Sequence, residues 1–193
     1  MGKRSGHIPN PATSQSDSHW VERIRAGDAK AFKQLFFSHS ESLVNFAFRF
    51  VGDQDLAEDI VQEVFLRVWE HRSRLDPAKN IRTYLYTATR NQALNVLRHS
   101  DVERESAEVI ARMGREVVSS EDQLEQHQIY QEVHRAIDQL PERCRVIFTM
   151  SRFDRLTYAE IAEILEISVK TVETQMGRAL KSLRQDLSHL IHS

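Results

Sequence analysis

The sequence predicts an all-α protein: two small helical domains joined by a flexible acidic linker. Three observations carry that prediction. Apolar residues recur at helical spacing in several blocks, and strand-like alternation is never sustained over more than a few residues. Gly (6) and Pro (4) are scarce for 193 residues, which disfavours a turn-rich all-β fold. Charge is also uneven along the chain. Residues 1–100 hold 14 Lys/Arg against 11 Asp/Glu, residues 101–140 hold 4 against 10, and residues 141–193 hold 8 against 7. An acidic middle therefore separates two mildly basic ends.

The elements follow in order. Residues 1–18 are polar, without the apolar core of a secretory signal, and read as a flexible tail. A bundle of three or four helices is expected over 19–100. Asp28 is an N-cap candidate before Ala31, Phe32, Leu35 and Phe36, and residues 43–51 continue apolar and aromatic. Gly52 breaks the pattern and Asp53 restarts it. Residues 71–80, with Pro77, form a polar loop, and 81–98 are helical again. Residues 101–121 have weak periodicity and read as linker. From Glu121 the pattern resumes through Leu124, Ile129, Val133, Ile137 and Leu140, and Pro141 stops it. A short helix from Glu142 to about Phe153 precedes the last motif, within a second domain over 122–193.

That last motif, residues 157–184, is a helix-turn-helix. Thr157 and Glu160 make a capping box ahead of Ile161, Ala162 and Leu165. Glu166, Ile167 and Ser168 make the turn, with Ser168 capping the second helix. Val172, Met176, Ala179, Leu180 and Leu183 then line one side at 3.6 periodicity. Lys170, Thr171, Thr174, Arg178 and Lys181 lie opposite, so polar groups are positioned to reach the major groove of duplex DNA. Glu173 sits at the edge of that face, suited to a cytosine amino group or simply to solvent.

Two further faces stand out. In residues 53–70, Asp55, Asp59, Gln62, Glu63, Leu66 and Glu70 share an arc of about 100° when projected at helical pitch. Leu66 in the centre of an acidic stripe suits docking of a basic partner helix. Next, Arg82, Tyr86 and Arg90 follow at i, i+4, i+8 with Tyr84 nearby, after Arg72, Arg74, Lys79 and Asn80 in the loop. Rings among cations suit single-stranded nucleic acid; the alternative makes both tyrosines half-buried packing residues.

These pieces, in this order, resemble the extracytoplasmic-function sigma factors, small two-domain members of the sigma-70 class. The matching text is RAGD (25–28) with AF (31–32), DLAEDIVQEVFLRVW (55–69), IRTYLY (81–86) with RN (90–91), LPERCRVIF (140–148), TYAEIA (157–162) and ISVKTVE (167–173). The resemblance implies sigma domain 2 over 19–100 and sigma domain 4 over 122–193. It assigns Asp55, Asp59, Gln62, Glu63 and Leu66 to core RNA polymerase, at a coiled coil of the clamp, with the flap as a second contact. It assigns Arg72, Arg74, Lys79, Asn80, Arg82, Tyr84, Tyr86 and Arg90 to reading and melting the −10 element. Ser168, Lys170, Thr171, Glu173, Thr174, Arg178 and Lys181 would read the −35 element. It further implies promoter DNA as ligand and an anti-sigma factor as partner. Thr87 and Gln175 stand where many members carry a basic residue, and Glu166 replaces the frequent Gly of the turn.

Other classes find less support. A two-component regulator requires strands ahead of its helix-turn-helix, and a helical adapter leaves the recognition helix without a role. Nine His suggest a metal, but His127 and His134, or His189 and His192, lack a supporting Cys pair or HExxH motif. No nucleophile–base arrangement marks an enzyme, and no cofactor is expected. Cys144, the single cysteine, excludes an intrachain disulfide and suits packing in a reducing cytoplasm.

Overall fold

The computed structural model describes residues 20–103 and 124–188. The tail at 1–18, most of the linker and the His189/His192 pair lie outside these residues. All regular structure among the described residues is helical.

Local chemistry sets each boundary. Residues 20–25 form α1. Asp28 then caps α2 (Ala29–Val51), its Oδ1 accepting from the amides of Lys30 at 2.9 Å and Ala31 at 3.2 Å. Its other oxygen accepts from Arg23 at 2.6 and 2.8 Å. The Arg23 hydrogen bond, then the Ala31 amide, holds the Asp28 carboxyl below the usual carboxylate range. Gly52 ends α2 at φ 67°, a left-handed conformation that glycine adopts without a Cβ penalty. Asp53 follows at once as the N-cap of α3 (Gln54–Glu70), accepting from Leu56 N at 2.9 Å. Two helices are thereby reversed across two residues.

A 3-10 turn (Arg72–Arg74) and a loop lead into α4 (Ile81–Glu103). Helices α2, α3 and α4 pack on one another around Leu35, Leu43, Phe46, Val61, Phe65 and Leu85, all essentially inaccessible. Each such side chain contributes roughly 1.5–3 kcal/mol through burial. Phe32, Phe36, Phe65 and Trp69 extend this core as a stack with centroid spacings of 4.9–6.0 Å.

The second half holds α5 (Leu124–Asp138), α6 (Glu142–Arg152), α7 (Tyr158–Leu165) and α8 (Val169–Asp186). Ile147, Met150, Ile161, Ile164, Val172 and Met176 form its core. The expected capping box is complete, Thr157 Oγ1 accepting from Glu160 N at 3.2 Å and Glu160 Oε2 from Thr157 N at 2.8 Å. Ser168 caps α8 by accepting from Thr171 N at 3.0 Å.

Several expectations need adjustment. Helix α4 runs three residues into the segment expected to be linker, ending at Glu103. Helix α5 stops at Asp138, before Pro141, and Pro141 instead opens α6, where a missing amide costs nothing. Leu180, expected inside, is 37% exposed because its position falls at the margin of the buried stripe. Nor are the halves merely tethered: α7 packs directly along α4.

Candidate functional site

Three surfaces carry the candidate residues, on α3, on the start of α4, and on α8. On α3 the inner face is Ala57, Ile60, Val61, Val64, Phe65 and Val68. Turning that face inward leaves Asp55, Asp59, Gln62 and Leu66 exposed, with Glu63 half-buried. Leu66 is 52% exposed. It borders a shallow groove of about 630 Å³ between α3 and α4, lined also by Asp59, Gln62, Glu63, Gln92 and Val96. Glu63 accepts from Arg67 Nε at 2.7 Å across one helical turn. The contribution of Gln92 and Val96 was not anticipated, since they lie some 30 residues on and meet α3 only through tertiary packing.

At the start of α4, Asn80 accepts from the amides of Arg82 at 2.9 Å and Thr83 at 3.2 Å, capping the helix. Its Nδ2 donates to Glu160 Oε1 at 2.9 Å. Arg72 is pinned, donating to Trp69 O at 2.8 Å with its guanidinium 4.7 Å from the Trp69 ring centre. Arg74 and Lys79 are exposed and Arg82 is half-buried. Tyr84 is 44% exposed, an available stacking ring.

Tyr86 is not. It is completely buried, its ring 5.0 Å from Phe46 in an edge-on contact. Burial raises its phenol pKa well above the ordinary value, so the hydroxyl stays protonated. The assignment of Tyr86 to unpaired bases is therefore corrected to a core role. Two residues from Tyr84, it projects about 200° around the helix and onto α2. Arg90, one turn beyond Tyr86, is half-buried with Nη1 3.1 Å from Glu166 Oε1.

On α8, Ser168, Lys170, Thr171, Glu173, Thr174, Arg178 and Lys181 are all exposed. Lys170 lies 3.6 Å from Glu173, so this acid tempers its own neighbour. Thr174 donates to Lys170 O at 2.8 Å. Behind this face Cys144 Sγ donates to Gln175 Oε1 at 3.1 Å, and burial pushes its thiol pKa up. A buried, protonated thiol is packing rather than a nucleophile. His134 stacks against Phe153 at 6.4 Å, and no cluster suited to a metal occurs among the described residues.

Residues 35–102 match the family described as Sigma-70 region 2, and residues 130–183 match Sigma-70, region 4. The RNA polymerase sigma-H factor of Pseudomonas aeruginosa is 30% identical over 188 residues, spanning 93% of this chain and 97% of that protein. The chain belongs to the extracytoplasmic-function sigma factors of the sigma-70 class. The sigma-E factor of Escherichia coli, named as an ECF RNA polymerase sigma factor, is likewise 30% identical over 185 residues, 91% of this chain and 96% of that one. Two solved structures share the fold at 22% identity. CnrH in complex with the cytosolic domain of CnrY aligns at TM-score 0.62 over 90% of this chain and 98% of that one. RpoE of Bartonella quintana, in complex with the anti-sigma factor NepR, aligns at 0.65 over 83% and 98%. Within this sigma factor the region 2 match takes in α3 and α4, and the region 4 match takes in the helix-turn-helix.

Proposed function

We propose that this sigma factor binds core RNA polymerase through the outer face of α3 and directs initiation by reading a promoter at two points. Asp55, Asp59, Gln62, Glu63 and Leu66 dock on the polymerase. Leu66 enters an apolar contact, and the surrounding acids select a basic helix such as a clamp coiled coil. Arg72, Arg74, Lys79, Asn80, Arg82, Tyr84 and Arg90 hold and separate the −10 strand, with Tyr84 stacking on an unpaired base. The N-terminal half of α8 reads the −35 duplex from the major groove, as its exposed Ser168, Lys170, Thr171 and Thr174 allow. Arg178 and Lys181 hold phosphate, and Glu173 limits the accepted sequences.

The observation that carries this reading is Leu66: a large apolar side chain half in solvent, at the centre of an acid-rimmed groove. A merely solvated helix face has no use for it. Two domains, 19–100 and 122–193, joined by the acidic segment that follows α4, let one protein span two promoter elements. The flap is the counterpart contact for the second domain. An anti-sigma partner is proposed from the company kept by the structural neighbours, and a cytoplasmic location from the polymerase itself; no described helix is long and apolar enough to cross a membrane.

The test is core binding. Asp59→Arg with Glu63→Arg reverses two charges on the outer face of α3, one exposed and one half-buried but outside the apolar core, so helix content by circular dichroism stays unchanged while pull-down of core polymerase falls about tenfold. Undiminished core binding by the double variant would remove α3 from the docking surface.

A further inference from the structure

Gly177 stands in the middle of α8, on the exposed face that carries Lys170, Thr174 and Lys181. Projected at helical pitch, it falls within about 20° of Lys170 and about 40° of Lys181. A glycine in a helix interior is destabilising, because it loses more backbone freedom on folding than any other residue. Neither of the usual structural reasons for one applies here. Gly27 and Gly52 adopt the left-handed conformation that favours glycine, but Gly177 does not. Nor does a neighbouring helix press against it, since a Cβ at this position meets nothing within 4 Å among the described residues.

The residues proposed to read the duplex make a matching demand on the same helix. Their hydroxyls are short and held close to the backbone. Thr174 Oγ1 donates to Lys170 O at 2.8 Å, and Ser168 Oγ lies 2.8 Å from Thr171 Oγ1. Groups of that reach touch base edges only when the helix axis sits deep in the major groove. The groove is about 12 Å wide, and a helix with its side chains is about 10–12 Å across, so the fit has little slack. Gly177 lies about 12 Å along the axis from the start of α8 at Val169. At that level the helix passes the rim of the groove, and Arg178 and Lys181 are placed there for phosphate. A side chain at Gly177 would stand between the backbone of α8 and the sugar–phosphate wall.

We propose that Gly177 is a specificity-determining position. Its missing side chain is the clearance that lets α8 seat against the sugar–phosphate wall of the −35 duplex, at the depth where Ser168, Thr171 and Thr174 meet the bases. This rests on the assignment of α8 to that duplex. The free chain loses stability at Gly177, and the bound helix gains depth. A larger side chain holds the helix off, so discrimination between −35 sequences collapses while phosphate contacts from Arg178 and Lys181 persist.

The test uses holoenzyme reconstituted with the full-length chain carrying Gly177→Ala or Gly177→Leu. The probe is the strongest promoter recovered by mapping transcripts of wild-type holoenzyme, either intact or with its upstream element scrambled. In the free protein Gly177→Ala melts about 2–4 °C above wild type, and circular dichroism gives the same helix content for both variants. Affinity for the intact promoter falls about threefold with Ala and about thirtyfold with Leu, a loss in the range of a base-pair mismatch. Affinity for the scrambled promoter is unchanged. Equal losses with Ala and Leu overturn the proposal, because bending at the glycine rather than clearance then explains them. Wild-type affinity with Leu overturns it too, as does an equal loss on the scrambled promoter, or a free Gly177→Ala chain no more stable than wild type. Failure of the underlying assignment is read separately: a holoenzyme carrying Lys170→Ala and Thr174→Ala that discriminates the two promoters as wild type does removes α8 from the −35 duplex, whatever the Gly177 variants show.

Discussion

Tyr84 and Tyr86 stand two positions apart on α4, yet only the first faces solvent. Their sequence context is the same mix of rings and cations, so composition alone gave them one role. The divergence comes from α2, whose Phe46 claims the ring of Tyr86. It follows that Tyr84→Ala impairs open-complex formation by tenfold or more, measured by permanganate reactivity, while closed-complex binding changes little. Equal losses at both stages would deny Tyr84 a part in melting. His39 makes a second residue-scale case. Its ring packs edge-on against Trp20 at 6.5 Å, and burial, then the nearby charge of Arg82, lowers its pKa to about 4. The unfolded chain titrates this group near 6.5. Between pH 6.5 and 4 the unfolded state binds a proton that the folded state refuses, so stability falls as pH falls. The loss reaches up to about 3 kcal/mol near pH 4 and goes no further below it. Urea denaturation of wild type and His39→Gln across that window should show the slope of the difference vanishing outside it; a pH-independent difference would contradict this account.

At the scale of elements, what could be read in advance was local. Asp28, Asp53, Thr157 and Ser168 each act on amides two or three residues away, so the caps and helix starts were visible without any fold. The outer face of α3 was visible for the same reason, because helical pitch alone gathers Asp55, Asp59, Gln62, Glu63 and Leu66. What was not visible depends on residues far apart in the chain: the groove wall from Gln92 and Val96, and the carboxylates facing Asn80 and Arg90. Helix α8 shows both kinds of information. Its buried stripe of Val172, Met176, Ala179 and Leu183 fixes which way Lys170 and Thr174 point. Lys170→Ala or Thr174→Ala should therefore shift −35 preference, costing about 1–3 kcal/mol at a contacted base pair. Holoenzyme binding across a library of −35 variants checks this, and an unaltered profile would remove these side chains from base contact.

For the whole molecule, the arrangement separates three tasks that a single compact domain would bring into conflict. The groove proposed to meet polymerase lies on α3, the surface proposed to open the strand at the start of α4, and the face proposed to read duplex on α8. The first and last are open to solvent; in the middle one Arg74, Lys79 and Tyr84 are exposed, while Asn80 and Arg90 meet carboxylates of the neighbouring half. Exposed ion pairs contribute only about 0–1 kcal/mol each, and the more shielded Arg49–Asp154 pair must offset the desolvation of both charges. The most direct measurement of the central claim is sequencing of transcript 5′ ends made in vitro by core polymerase reconstituted with this protein on fragmented genomic DNA. The account predicts start sites absent with core alone, each preceded by two shared elements at constant spacing, the upstream one lost when α8 carries Lys170→Ala with Thr174→Ala. Start sites no different from those of core polymerase alone would contradict it.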